Sequence, residues 1–402
     1  MAFELDVLRT VVGIGVLVFF GRVFATLCSR IKVPEVVGEV VAGIVFGPLA
    51  LGGFIHLFGS QLIELNDLLL AFALVGGVIV LFAAGLEFTF SDFRKAGVVS
   101  FSVAGMGVVV PFLLGYGVAV AVGFDWTVAM LIGATLTATS IAVTVRVLGD
   151  LGQLRTREGS IMVNAALIDD VLGLAVLSVI VSVIQSGSVP TISSLFLVTL
   201  QAVIIWFVML VASVYLLPRV VDPILRWKSE GTVEALAIAL TFGLASLAAF
   251  LGLSPIVGAF AAGMALAGSK AVAKIRDFTG KLKMLFGPLF FAVIGTYFDV
   301  THVLSVNFVI VFVILVVAVL GKILGCGLPA ALFLRDRRKG WRVGIGMISR
   351  GEVGFIVAGL GLTAGILFEE AYSALIIVIL ATTIISPVML RRSFVKQERI
   401  AE

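Results

Sequence analysis

Long apolar runs alternate with short polar breaks from one end of the chain to the other. A helix needs roughly 17–25 residues to cross a bilayer. By that measure the pattern predicts about thirteen spans: 7–28, 33–51, 66–87, 96–122, 127–148, 159–184, 192–217, 232–251, 254–269, 284–299, 306–334, 341–367 and 371–390. The second, ninth and tenth are short and rich in glycine. One run breaks its own rule. MVNAALIDDVLGLAVLSVIVSVI, within 159–184, carries two adjacent carboxylates, Asp169 and Asp170. Each costs roughly 2.5–3.5 kcal/mol at the centre of a span on insertion scales, so an ionisable residue there marks a functional site.

The breaks sort by charge. One set holds Arg30 and Lys32, then Arg94 and Lys95, Arg155 and Arg157, Arg219, Arg226 and Lys228, Lys270 to Lys283, Arg335 to Arg342, and the tail from Arg391. The alternate set holds His56, Glu64, Asp67, Asp125, Asp299, His302, Glu369 and Glu370, without Lys or Arg. The excess of basic residues makes the first set cytoplasmic. This predicts an N-terminus outside, a C-terminus inside, and a multi-pass protein of the cytoplasmic (inner) membrane.

The spans also repeat. Pro34-EVV-Gly38-EVVA-Gly43-IVF-Gly47 is echoed by Pro255-IV-Gly258-AFAA-Gly263-MALA-Gly268, and LFAAGLEFTF by FFAVIGTYFDV. Spans one to six therefore correspond to spans eight to thirteen. The single span between them, 192–217, inverts the second unit relative to the first, an architecture that places sites at the midplane between repeats. Glycine spacing alone would also serve close helix packing. The predicted fold is all-α, with two inverted six-helix repeats.

Few other ionisable groups lie deep in spans: Lys322 in 306–334, and Arg350 and Glu352 in 341–367. Span 127–148 carries a knot of hydroxyls, Thr135, Thr137, Thr139 and Ser140. At 1.5 Å per residue, Asp170 lies roughly 16 Å and Lys322 roughly 18 Å from the cytoplasmic ends of their spans, and the other two groups roughly 12–17 Å. All reach the middle of a core about 30 Å thick. Each also has a plainer reading. The hydroxyls can bond backbone or a neighbouring helix, and Arg350 with Glu352 can form a structural ion pair. Glu87 suits a structural role, and Arg22 and Arg146 read as anchors at cytoplasmic helix ends.

Adjacent helical residues point about 100° apart, so Asp169 and Asp170 face different ways. One can face Lys322 while the other faces a cavity. Such a carboxylate can hold a proton or a hard cation, with the Thr and Ser hydroxyls completing an oxygen shell. The remaining composition removes other classes. The 402 residues are 61% hydrophobic and 13% charged, against about a quarter charged in soluble domains. Met1 to Arg9 carries Glu4 and Asp6 rather than a basic leader. The net charge of +4 reflects membrane orientation rather than nucleic-acid binding. Cys28 and Cys326 read as small buried residues, His56 and His302 lie away from the midplane charges, and no catalytic triad, phosphate loop or resident cofactor is indicated.

The stretch GATLTATSIAVTVRVLGDLGQLRTREGSIMVNAALIDDVLGL resembles the cation:proton antiporter superfamily, and in particular the NapA-type sodium/proton antiporters of its monovalent cation:proton antiporter-2 branch. PEVVGEVVAGIVFGP, LFAAGLEF, SPIVGAFAAGMALA and ISRGEVGFIVA agree with it. The resemblance implies an NhaA-like fold in which spans five and twelve are crossed discontinuous helices. It implies a mobile core (approximately 96–184 and 306–390), a dimerising part (approximately 7–87 and 232–299), 192–217 as linker, and a homodimer in the bilayer. Asp170 is implied as the main carrier of Na⁺ (or Li⁺) and H⁺, and Asp169 as the partner of Lys322, released when sodium binds. The Asp-Asp pair, where electroneutral relatives have Asn-Asp, implies electrogenic exchange of two protons per sodium. No regulatory nucleotide-binding domain is expected in this chain. A K⁺/H⁺ antiporter on the same scaffold is the main alternative. A sodium-coupled organic anion symporter is less favoured, because no further polar pocket is evident.

Overall fold

In the computed structural model, residues 2–31, 33–57, 60–87, 89–186, 192–227, 231–297 and 306–401 are described, and the side chains of some helical residues, Asp170 and Glu352 among them, lie outside that description. The α-helices are α1 (Ala2–Arg30), α2 (Glu35–Phe46), α3 (Leu51–Phe54), α4 (Asp67–Gly85), α5 (Phe90–Val122), α6 (Trp126–Thr135), α7 (Ile141–Asp150) and α8 (Arg157–Ser186). They continue as α9 (Ile192–Val221), α10 (Thr232–Phe250), α11 (Pro255–Leu266), α12 (Val272–Thr296), α13 (Phe308–Leu334), α14 (Arg337–Gly346), α15 (Glu352–Thr363) and α16 (Glu369–Ala401). A hairpin of two-residue strands, His56–Leu57 with Ser60–Gln61, and a 3₁₀ turn, Asp222–Trp227, complete the described elements. The chain is an all-α polytopic membrane protein. Among the described residues, nine helical segments are long and apolar enough to cross a bilayer by themselves.

Three differences from the apolar runs have physical causes. The runs 127–148 and 341–367 are each a pair of half-helices, because Leu136–Ser140 and Met347–Gly351 leave the helical path while carrying, Arg350 apart, only apolar or uncharged residues. Helix α12 begins at Val272, well before the run at 284, so Lys274 to Lys283 form helical turns rather than a loop. These turns are polar helix formers stitched by pairs such as Lys281–Asp277 at 2.7 Å, which hydropathy does not register. Helix α16 likewise continues past 390 to Ala401.

Helix starts are capped by short polar side chains. Asn66 accepts from the Leu69 amide at 2.9 Å and Asp336 from the Arg338 amide at 2.9 Å. Asp125, in the loop before α6, accepts from the Thr127 hydroxyl and amide, which hold its carboxyl below the usual carboxylate range. These caps satisfy amides that a helix cannot satisfy internally.

The repeat is visible in backbone approaches that only glycine permits. A side chain at Gly43 of α2 would run into the Ala292 carbonyl of α12, and Gly295 of α12 abuts α2 in return. The equivalent residues in the other unit do the same with roles exchanged: Gly263 of α11 abuts α4 at Phe82, and Gly85 of α4 abuts α11 at Phe260. Gly38 lies on α1 at Phe24 as Gly258 lies on α10 at Leu244. Helices in lipid gain little from apolar burial, so such close approach supplies much of the association.

Gly43→Val is expected to prevent α2 from seating on α12, seen as loss of the monodisperse peak or a lowered thermal midpoint in detergent. Gly15→Ala, where an added methyl meets nothing within 4 Å, is expected to change stability by no more than about 0.5 kcal/mol.

Candidate functional site

Two interrupted helices meet in the middle of the molecule. Residues 136–140 separate α6 from α7, and 347–351 separate α14 from α15. Broken backbone is tolerated at membrane depth only where its polar groups find partners, and here each break supplies the other. The Ser140 amide donates to the Ser349 carbonyl at 2.9 Å. The Thr144 hydroxyl reaches the Gly346 carbonyl at 2.7 Å, and the Thr139 hydroxyl the Met347 carbonyl at 3.4 Å. Gly351 is needed at the crossing, because a side chain there would collide with Ser140. The breaks bring together the N-terminal ends of α7 and α15 and the C-terminal ends of α6 and α14. Positive and negative helix ends, each equivalent to about half a charge, therefore meet in a small volume.

Helix α8 brings Asp169 to this crossing. Lys322 of α13 lies 3.3 Å away, and both side chains are 0% exposed. Gly107 of α5 leaves room for Cys326, one turn along α13 from Lys322: a methyl there would strike the Cys326 sulfur, while the Lys322 nitrogen would stay in ordinary contact at 3.6 Å. The Thr139 hydroxyl lies close enough to the same carboxylate to act on it. The Asp169 Oδ1 atom has no hydrogen-bond partner among the described residues.

Arg350 is also fully buried, yet its described hydrogen-bond partners are carbonyls. It donates to Ile348 at 2.6 Å and to Ala318 of α13 at 3.0 Å, while its own carbonyl accepts from Thr383 at 2.8 Å. The guanidinium thus caps the negative end of α14 and ties the crossing to α13 and α16. It lies close enough to act electrostatically on Asp169.

The other sequence candidates are distributed around this centre. Thr137 donates to the Ala134 carbonyl at 2.8 Å, and Ser140 accepts from the Val143 amide at 3.5 Å as the cap of α7. Thr135 bonds back to Leu131 at 2.8 Å. Asp170 occupies the next position of α8 after Asp169, and Glu352 the first position of α15; the roles their side chains were assigned fall outside the described residues. So do Asp299 and His302. Among the described residues no three His, Cys, Asp or Glu side chains gather as a metal site.

Sequence reasoning missed a second buried charge cluster, nearer the end of the bundle that carries the basic loops. Arg146 and Arg22, read as separate anchors, converge on Glu35 and Glu39 of α2, with Arg146 2.9 Å from Glu35 and 3.3 Å from Glu39. The available signal was the spacing: Glu35 and Glu39 stand four residues apart, on one face of an otherwise apolar helix. Arg342 of α14 and Glu158 of α8 form a further buried pair at 3.0 Å.

Residues 15–396 match the family model described as "Sodium/hydrogen exchanger, transmembrane". The chain is 32% identical over 388 residues to the Na(+)/H(+)-K(+) antiporter GerN of Bacillus cereus, covering 95% of each chain. It is 29% identical to the high-affinity Na(+)/H(+) antiporter NhaS3 of Synechocystis, covering 94% of this chain and 88% of that one. Its fold resembles the solved structure of the sodium proton antiporter MjNhaP1 from Methanocaldococcus jannaschii, with a TM-score of 0.70, 16% identity and 98% of both chains covered.

Removing one partner of a buried ion pair leaves an uncompensated charge, a loss of about 3–5 kcal/mol. Lys322→Met is therefore expected to lower thermal stability markedly in detergent, and the double variant Asp169→Asn with Lys322→Met to recover much of the loss. Equal losses in the single and double variants would show that the pair is not what holds α8 to α13.

Proposed function

The chain belongs to the sodium/hydrogen exchanger family, and from that premise we propose that it exchanges Na⁺ or Li⁺ for H⁺ by alternating access at Asp169 and Asp170. The observation that carries the reading is the fully buried Asp169–Lys322 pair set against the crossing of two broken helices. A carboxylate in that setting must be neutralised before it can move through the bilayer core. A proton, a hard cation or an ammonium can each do so, and a site that trades among the three couples two ion flows.

In this mechanism Asp170 is the principal carrier. Deprotonated, it binds the cation on one side. Asp169 joins it, releasing Lys322, and Thr139 contributes oxygen, with Thr137 and Ser140 behind it. Lys322, once released, gives up its proton; on the other side one proton displaces the cation from Asp170 and a second restores the Lys322 ammonium, which recovers Asp169. The occupied site crosses because its charge is compensated, and the empty deprotonated site does not, which makes exchange obligatory. Two ionisable carboxylates and a lysine allow two protons to return for each Na⁺, so one net charge moves per cycle. Arg350 holds the crossing together, and Glu352 stands at the positive end of α15.

The moving core comprises approximately 96–184 and 306–390. The part that stays and pairs with a second copy comprises approximately 7–87 and 232–299, joined through 192–217. The glycine-mediated packing of α2, α4, α11 and α12 on one another supports treating those helices as one rigid unit. The segregation of Lys and Arg supports a cytoplasmic C-terminus in the inner membrane. K⁺ as an additional cargo is a second reading, favoured by the name of the Bacillus cereus relative.

In everted vesicles or proteoliposomes, adding Na⁺ or Li⁺ is expected to dissipate a pre-formed pH gradient, and Asp170→Asn to abolish the response. A comparison of Na⁺, Li⁺ and K⁺ assigns the cargo. Wild-type exchange by Asp170→Asn would reject the assignment. An imposed membrane potential should change the rate, and indifference to it would reject electrogenic exchange.

A further inference from the structure

The half-helix α7 has two functional ends. Its N-terminal end caps on Ser140 at the crossing, next to Thr139 and Asp169. Its other end carries Arg146 and Asp150, and these engage helices of the unit proposed to stay still. Arg146 is 6% exposed and bonds Glu35 at 2.9 Å, Glu39 at 3.3 Å and Asp150 at 3.4 Å. Glu39 is 0% exposed and its second oxygen has no partner among the described residues. Arg22 of α1 closes the cluster from the far side, 3.1 Å from Glu35 and 4.0 Å from Glu39. Lys283 of α12 faces it and interacts with Arg146, Asp150, Glu39 and Glu87. A second tether runs beside it, from Arg155 just beyond α7 to Glu87 at 3.2 Å and on to Arg276 of α12 at 3.0 Å.

We propose that this cluster is an ionic clasp centred on Arg146, which holds the core in the arrangement described here and opens when the core moves. The proposal rests on the exchange reading for which helices move. Ten residues of helix span about 15 Å, so α7 is a short rigid strut. Any displacement of the crossing is carried along it to Arg146, and sliding by even part of a helical turn separates Arg146 from Glu35 and Glu39.

Two features distinguish this from an ordinary surface ion pair. The hub is buried, where charge pairs are screened far less than at the surface. The cluster also has room to open into, since Asp150 lines two cavities, of about 250 and about 390 Å³, beside α7. The first is bordered by Ser29, Pro34, Glu35 and Arg391, the second by Glu87, Arg155, Arg276 and Lys283. Groups released from the clasp therefore have open space beside them, which lowers the penalty of separation. Arg146 acts on the cation site only through α7, as a positioning residue.

The test is double electron–electron resonance on the reconstituted full-length protein. Spin labels go on cysteines at Arg157, just beyond α7, and Lys274 of α12, both exposed. Cys28 is replaced by Ser, and Cys326 is buried. Arg146→Gln should shift the distance distribution toward a second population and change the apparent Na⁺ half-saturation by about threefold or more. Arg146→Lys, which keeps the charge, should stay near wild type in both. Glu39→Gln, which keeps the side chain's shape while removing its charge, should shift the distribution in the same direction. A distribution in Arg146→Gln and Glu39→Gln that superimposes on wild type would overturn the clasp, as would Arg146→Lys behaving like Arg146→Gln. Absence of cation-driven proton movement in the wild type would instead sink the exchange reading, leaving the distance data to judge the clasp alone.

Discussion

A carboxylate and an ammonium sit in contact at the centre of a membrane protein, with neither reaching water. In a medium of low polarity such a pair is held by strong attraction and penalised by the loss of hydration, and it survives only where geometry and neighbouring dipoles favour both charges. Much of the architecture can be read as meeting that condition for Asp169 and Lys322. The breaks in α6/α7 and α14/α15 bring four helix ends to the pair. Gly107 leaves room for Cys326, which packs beside the lysine on α13. Arg350 turns its two terminal nitrogens to the carbonyls of Ile348 and Ala318 rather than to the carboxylate. In the proposed mechanism a buried pair so assembled is poised rather than locked, because a cation or a proton arriving at Asp169 would substitute for the ammonium.

The buried pair is set against closely packed helices. Gly43 against α12 and Gly263 against α4 are the same contact made twice between the two inverted units, with roles exchanged, and Gly38 on α1 repeats as Gly258 on α10. Backbones in such close approach have little freedom to slide. The seam between frame and crossing is different in kind, being joined by side-chain ion pairs at Arg146 and Arg155 and bordered by cavities. Packed backbone in one place and breakable charge in another is a division suited to one part moving against the other.

The sequence carried the large features and lost the local ones. Apolar runs mark where helices cross, and the glycine echo between 34–47 and 255–268 marks the repeat, because both depend on bulk hydropathy and side-chain volume. The interruptions are invisible to hydropathy: Leu136 to Ser140 and Met347 to Gly351 are almost entirely uncharged, and only the resemblance to a known family implied a break. Asp169 and Lys322 stood out because isolated charges in apolar runs are costly. Glu39 and Arg146 did not, since each lies near a basic or acidic neighbour that makes it look like part of a helix end. Their convergence depends on which helices pack together, and one-dimensional pattern does not contain that. The start of α12 was misjudged for a related reason, as its first turns are helical outside the apolar core.

The central claim is that a cation and protons compete for the same buried carboxylates. Isothermal titration of the purified protein with Na⁺, repeated in buffers of different ionisation enthalpy, counts the protons released as the cation binds. The mechanism predicts release of more than one proton per Na⁺ bound, with binding weakening as pH falls and release lost when Asp169 and Asp170 are both replaced by Asn. Heats that do not vary with the buffer, or Na⁺ binding that survives that double replacement, would contradict it.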